Sequence, residues 1–472
     1  MNARNDRSPE TSGHLIARRR LLWGAPLAAG AMAAGSQPAA AQTSAPRRNI
    51  LDHVSLSSPT LAADIESALT QYEGDWLFPA GRYELHDTVQ VRIQNGPMSI
   101  ECSPGAVFDL RVDGDGFKFL ADAGVKLSQA NPGDVESVDF SWRGGLFLQT
   151  DQPVSKVVPW VTGAFPAANP GQANTASCLD FRPRTIGGDP AGRFGHLDVS
   201  DCTFLGHEVE RHWQNAGGDT GIFINNCESA RITGCEFVGM RDLGIYIANR
   251  DGECGAVTII GNAFESCAGG AAFKSGSNHG VVTGNVFNNC GRGVIAQTAS
   301  EPSKPGGENL AITGNTFVQC WRAVLLEYAE SVVINGNSVY RSGNLLADGS
   351  VPTESQVFRT PAIAFEVGGS RGVTIVGNTV SKILHAWHLA GKQVWALWVR
   401  EHERPGSQFA ANEGLLFAHN SLVSLAQIGE EQDPATATLS VPTKNTQVHS
   451  NLINGNVGGF TVRHSTSAFT SL

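Results

Sequence analysis

The chain has 472 residues, 54 of them glycine, with only 17% charged and a formal net charge of −10. A chain this acidic is a poor partner for nucleic acid or an anionic lipid surface. No run of 18 apolar residues follows the N-terminus, so no membrane partner is expected either.

Near the start, Arg18-Arg19-Arg20 leads into a weakly apolar, Gly/Ala-rich stretch over 23–35, and Ala39-Ala40-Ala41 follows. The pattern resembles a twin-arginine export signal over residues 1–41, which predicts a periplasmic or secreted mature protein. Its five arginines against Asp6 and Glu10 mean that removal takes the net charge from −10 to about −13. Residues 42–57 read as a linker, and 58–472 as a single domain. Behind Ser58 or Thr60, the spacing of Leu61, Ile65, Ala68, Leu69 and Tyr72 predicts a short amphipathic helix. It would cover the open end of a stack of strands, which otherwise exposes apolar side chains and strand edges. Trp76-Leu77-Phe78-Pro79-Ala80-Gly81-Arg82-Tyr83 reads as strand, turn and strand, and short strands continue to residue 150.

From Arg231 the chain repeats itself. Arg231-Ile232-Thr233-Gly234-Cys235-Glu236-Phe237 is echoed by the heptads starting at Thr258, Val281 and Ala311, with a looser copy over 332–339. The positions of the Asn column, 235, 262, 285, 315 and 337, are 27, 23, 30 and 22 residues apart. Repeats of that length signal a solenoid, and units rich in Val, Ile, Thr and Phe with no helical period make it one of strands. Cys202 and Cys235 share the Asn column, while Cys267, Cys290 and Cys320 lie three residues after the column Phe. Stacked buried thiols are expected there rather than disulfides. Cys227 and Cys254 are the one pair placed for a bridge, and no Cys/His spacing suggests zinc.

A helical cap, then Phe-Pro-Ala-Gly-x-Tyr, then repeated Ile-x-Gly-Asn-x-Phe resembles the right-handed parallel β-helix proteins of the pectate-lyase-like superfamily, over roughly residues 58–460. The resemblance implies an all-β, single-stranded parallel β-helix with an N-terminal capping helix. It implies coils of three strands, with Val-Thr-Ile as the second, Gly-Asn as a tight turn with stacked Asn side chains, and the Phe opening the third. The first strand follows a variable loop, at 221–225, 244–248, 270–274, 293–297, 323–327, 362–366 and 396–400. With alternate residues on opposite faces, Ile222/Ile224, Ile245/Ile247, Ala271/Phe273, Val324/Leu326, Ile363/Phe365 and Leu397/Val399 should point into the core. The Phe residues 204, 237, 264, 287 and 317 should stack there.

One outward column then reads Phe223, Tyr246, Ala272, Ile295, Leu325, Ala364, Trp398. The next reads Asn225, Ala248, Lys274, Gln297, Glu327, Glu366, Arg400. In the resembled families this face is the substrate groove. Exposed rings and long polar side chains suit a polysaccharide or oligosaccharide. Long inserts at 205–220, 298–309, 341–361, 381–395 and 401–414 could wall a cleft around it, as functional loops do on rigid scaffolds.

Three constellations compete there. Glu327, Glu366 and Arg400 on successive coils would form a carboxylate pair with a cation beside it. Lys274, in Lys274-Ser275-Gly276-Ser277-Asn278, resembles the Lys-Ser-x-x-Asn base segment of the chondroitinase B and alginate lyase family. That family's calcium-binding glutamates are here Cys267 and Gly269, and its arginine could only be Arg292. Asp219 and Asp242 on adjacent coils, with His207, Glu208, Arg211 and Arg241 nearby, are a second acid pair or a calcium site, calcium being the only cofactor suggested. Substrate contacts are assigned to Phe223, Asn225, Tyr246, Gln297, Trp398, His207, Arg211 and Arg241. The expectation is a lyase cleaving a uronate-containing glycan by β-elimination. A glycoside hydrolase using Glu327/Glu366, or a non-catalytic glycan-binding or structural β-helix, are the alternatives. The resemblance to tailspikes allows a homo-oligomer.

Overall fold

The computed structural model describes residues 47–94, 96–112, 114–124, 137–149, 177–206, 220–240, 242–248, 255–274, 276–297, 305–341, 343, 362–381, 394–400, 412–423, 435–439, 443–454 and 461–462. Its strands form three long parallel sheets of 12, 17 and 12 strands, with one antiparallel pair, Thr185–Ile186 against Asp189–Pro190. Each strand pairs with its counterpart one coil on. Ile222 meets Ile245, which meets Ala271, which meets Val294, which meets Val324. The right-handed parallel β-helix implied by the resemblance is the fold observed.

The repeat's two loudest residues hold the coils in register. At the tight turn the residue before each Asn is left-handed: Gly261, Gly284, Gly314, Gly336 and Gly377 all have φ between 63° and 65°, a region glycine enters without strain. The Asn then bonds to the next coil. Asn262 N donates to Asn285 Oδ1 at 2.9 Å, Asn285 N to Asn315 Oδ1 at 3.0 Å, and Asn315 N to Asn337 Oδ1 at 2.9 Å. The ladder runs on through Asn378 and Asn420 to Asn451, three coils beyond the copies evident from the repeat. In the core, Phe147, Phe204, Phe237, Phe264, Phe287 and Phe317 stack with centroids 4.6–4.9 Å apart.

That stack dictates the small residue opening each first strand. A Cβ on Gly221, Gly244, Gly270 or Gly293 would stand 2.4–2.6 Å from a ring atom of Phe237, Phe264, Phe287 or Phe317. Where Val339, Val380 and Leu422 replace the Phe, Ala323, Ala364 and Ala396 replace the Gly, all of them in the buried core. The cysteines fill the same core. Every described cysteine is buried and unbridged, and Cys267, Cys290 and Cys320 donate to the Phe237, Phe264 and Phe287 carbonyls at 3.5–3.6 Å. Burial and the neighbouring thiol push Cys267 and Cys320 well above the ordinary thiol range, so they are inert as nucleophiles. Cys254 lies outside the described residues.

The N-terminal helix is Leu61–Gln71, with Leu61, Ile65, Ala68 and Leu69 buried as expected and Tyr72 exposed. Thr60 occupies the N-cap position without a side-chain bond to a helix N–H; its hydroxyl and that of Ser58 donate to Asp64 instead, at 3.3 and 2.6 Å. Glu66 in the helix and Glu73 just past its end serve the outermost first strand, Val89–Ile93, and the residue after it. Glu66 accepts from Gln90 N at 3.1 Å and Glu73 from Gln94 N at 2.8 Å, so donors at a sheet edge are not left bare. The packed body begins earlier than the expected boundary at 58. Arg48–Asn49 pairs with Trp76–Leu77, and Ile50 and Val54 enter the core.

Candidate functional site

Three outward columns run along the first-strand sheet. One contains Lys118, Asp180, Phe223, Tyr246, Ala272, Ile295, Leu325, Glu366 and Trp398. Two positions further along, Ala248, Lys274, Gln297, Glu327, Gly368 and Arg400 follow one another. Before them lie Leu243, Gly269, Arg292, Arg322, Ile363 and Trp395.

The expected Glu327–Glu366–Arg400 column does not form. Glu327 pairs with Gly368, and Glu366 with Leu325 and Trp398. Strand Ala362–Gly368 is therefore displaced by two residues from the expected register. Ala364 rather than Ala362 matches Ala323, and Phe365/Val367 rather than Ile363/Phe365 enter the core. A slip of two preserves the alternation of faces, which is why the strand pattern alone allowed it. At backbone level the two glutamates are diagonal neighbours, ~8 Å apart from a strand spacing of ~4.8 Å and a rise of ~3.3 Å per residue.

Neither glutamate is a solvated surface acid. Glu366 is 0% exposed and lies 2.8 Å from Arg322 Nε, whose guanidinium stacks over Trp321 at 4.1 Å. Glu327 is buried and accepts from Gln297 Nε2. The rings expected to be exposed are buried too. Phe223 and Tyr246 join Leu243, Ala248, Ala272, Ile295 and Leu325 in an apolar cluster on the outer face, separate from the core. This face is thus covered along its middle, with half-buried polar side chains at its margins.

Across four successive coils, two cations flank two rings. Arg182 stacks over Phe223 at 4.5 Å, Phe223 meets Tyr246 edge-on at 5.0 Å, and Lys274 Nζ lies 5.1 Å from the Tyr246 ring. Asn225 is buried beside Ala248, and Gln297 is the strand neighbour of Lys274. Arg292 opens the next strand on the same face, five positions before Gln297. Asp242 accepts from the Thr220 hydroxyl at 3.4 Å; its expected partner Asp219 lies outside the described residues, as do His207, Glu208, Arg211 and Arg241. Among the described residues no cluster of three metal-ligating side chains occurs.

Sequence reasoning missed Asp180 and its neighbours. Strand Ser177–Pro183 puts Leu179 and Phe181 inward, and Asp180 and Arg182 outward. Asp180 is fully buried and accepts from Arg182 Nε at 2.7 Å. Burial, and then the facing Asp115 carboxyl, push Asp180 up to about 7 against the pull of Arg182. Asp115 accepts from Ser177 N at 3.0 Å and stands 3.9 Å from Lys118 Nζ. The alternation Leu179-Asp180-Phe181-Arg182 was readable, but the stretch has no repeat copy before it to set its place.

The sequence matches the right-handed β-helix region family over residues 192–471, more than half the chain, and the protein belongs to that family. No curated protein sequence matches it. Among solved structures it is similar to the Dettilon tailspike protein gp208, with a TM-score of 0.50 and 14% identity, covering 86% of this chain and 66% of that one. It thus spans just under two thirds of the tailspike. PfbA, a surface adhesin of Streptococcus pneumoniae, gives 0.48 and 12% over 90% of this chain and 92% of that one. The tailspike of Escherichia coli bacteriophage HK620 gives 0.43 and 12% over 86% and 72%.

Proposed function

We propose that this protein is a polysaccharide-active β-helix enzyme that takes an acidic glycan along the outer face of its first-strand sheet and cleaves it by β-elimination. The observation that carries the reading is the pair of half-buried cations, Arg182 and Lys274, held over the Phe223 and Tyr246 rings. The buried rings hold the cations in place, and a cation with solvent access suits a uronate carboxylate. β-Elimination needs a base for the proton α to the carboxylate and donors to stabilise the enolate that forms. Lys274, half-buried at the margin of the face, is the base in this reading. Gln297 on the neighbouring strand has one amide N–H beyond the one given to Glu327, and it is the donor.

Incubating the mature chain with a panel of acidic and neutral glycans tests this. A lyase releases an unsaturated uronyl product absorbing near ~235 nm, because loss of the α-proton to the base and departure of the β-linked glycan as its alcohol leave a double bond conjugated with the carboxylate. Lys274→Ala should abolish that signal; full activity in the variant would rule the lysine out as base. Reducing ends without absorbance would instead favour hydrolysis, and glycan retention without either signal a binding role. Export through the Arg18-Arg19-Arg20 leader belongs to the same reading, and fractionation of expressing cells checks it.

A further inference from the structure

Lys118 and Asp180 are strand neighbours in one outward column, Arg182 follows two positions along, and Asp115 stands at the turn entering the Lys118 strand. Three observations set this group apart. Asp180 is fully buried, and its Oδ2 has no hydrogen-bond donor. Facing it is another acceptor, the Asp115 carboxyl. Both cations keep accessible surface, 27% of the Lys118 side chain and 33% of the Arg182 side chain. A buried carboxylate facing another acceptor is costly to ionise, and a proton on Asp180 satisfies the orphaned oxygen. Arg182, meanwhile, is fixed on one side by Asp180 and on the other by the Phe223 ring. A held guanidinium with solvent access is a prepared site for a planar anion.

We propose that Lys118 and Arg182 form a subsite for a carboxylate of the glycan, and that a proton held by the buried Asp180 sets its affinity. This rests on the acidic-glycan reading above. The charged groups facing Asp180 among the described residues are Asp115, Lys118 and Arg182. With the proton in place they sum to one positive charge; without it they sum to zero. An anion is therefore bound more tightly while the proton is held, and its arrival strengthens the hold on that proton. One charge at this distance, partly screened by solvent, corresponds to about tenfold in affinity.

Calorimetric titration with trigalacturonate and neutral galactotriose at pH 5.5 and 8.5 tests the subsite. The wild type should bind trigalacturonate about tenfold more tightly at pH 5.5, with no such dependence for galactotriose. Asp180→Asn, which cannot ionise, should hold the tighter affinity at both pH values. Arg182→Gln and Lys118→Met should each weaken trigalacturonate about tenfold at pH 5.5 while leaving galactotriose alone. Infrared difference spectra, wild type minus Asp180→Asn, should show a buried carboxyl losing its proton between pH 6 and 8. A pH dependence that survives in Asp180→Asn, or unaltered binding by Arg182→Gln, overturns the subsite alone. A wild type that binds neither trisaccharide overturns the subsite and the glycan reading together.

Discussion

Asp180→Asn also reports on the proton through stability, with no ligand present. In the folded protein burial and Asp115 lift the Asp180 carboxyl from an ordinary 3.8 to about 7; in the unfolded chain it titrates near ~3.9. The folded state thus binds this proton more tightly than the unfolded one. The stability this confers is complete below about pH 4 and is lost as pH rises through 7. About three pH units at ~1.36 kcal/mol each amount to roughly 4 kcal/mol, after which the curve levels off. Asn has nearly the shape of the protonated acid and no charge to bury. The variant should therefore match the wild type near pH 4.5 and exceed it by several kcal/mol at pH 8. Denaturant unfolding at both pH values measures the difference. Amide exchange in Ser177–Pro183 localises it, because a solenoid can open coil by coil. An Asn variant no more stable than the wild type at pH 8 would show that no proton is held there.

Two further substitutions probe the scaffold. Gly270→Ala would place a methyl group 2.4 Å from Phe287 Cε1 and 2.5 Å from the Gly293 carbonyl oxygen, and should cost about 1–3 kcal/mol as overpacking, read as a lowered denaturant midpoint. Asn315→Ala removes the acceptor of the Asn285 N–H and the donor to the Val282 carbonyl, both buried. It should cost about 2–4 kcal/mol and speed amide exchange in the coils on either side. Unchanged exchange there would mean the ladder contributes nothing to register.

The scaffold was legible because its causes are local and repeated. A left-handed glycine, an Asn that bonds one coil on and a Phe that stacks on its copy are each visible in a single heptad and confirmed by the next. The outer face was legible only in part. Alternation assigned Phe223, Tyr246, Lys274 and Gln297 to it correctly, but their burial depends on what covers the sheet, which no strand pattern contains. The Asp115–Asp180 pair was hidden for a different reason. Its members are 65 positions apart, on either side of a long insertion, and only the winding of the coils brings them together.

The misplacement of Glu366 shows what further signal the sequence held. Ala362 and Ala364 both suit the small position that opens a first strand, and both frames send apolar residues inward, so alternation cannot choose between them. The turn that closes the strand can. Tyr328 and Gly369 both take a left-handed φ, 58° and 59°, directly after Glu327 and Gly368. Gly368-Gly369 is the stretch of this coil most suited to such a turn. Counting back from it puts Ala364 beside Ala323, and Glu366 one coil above Leu325. That register moves the acid away from Arg400 and toward Arg322, the arginine just ahead of Ala323. It replaces an open carboxylate pair by a fully buried acid held 2.8 Å from a guanidinium. A buried charge of this kind is costly to leave alone, so Glu366 and Arg322 depend on each other. Chemistry on this face is better sought at its half-buried cations, Lys274 and Arg182.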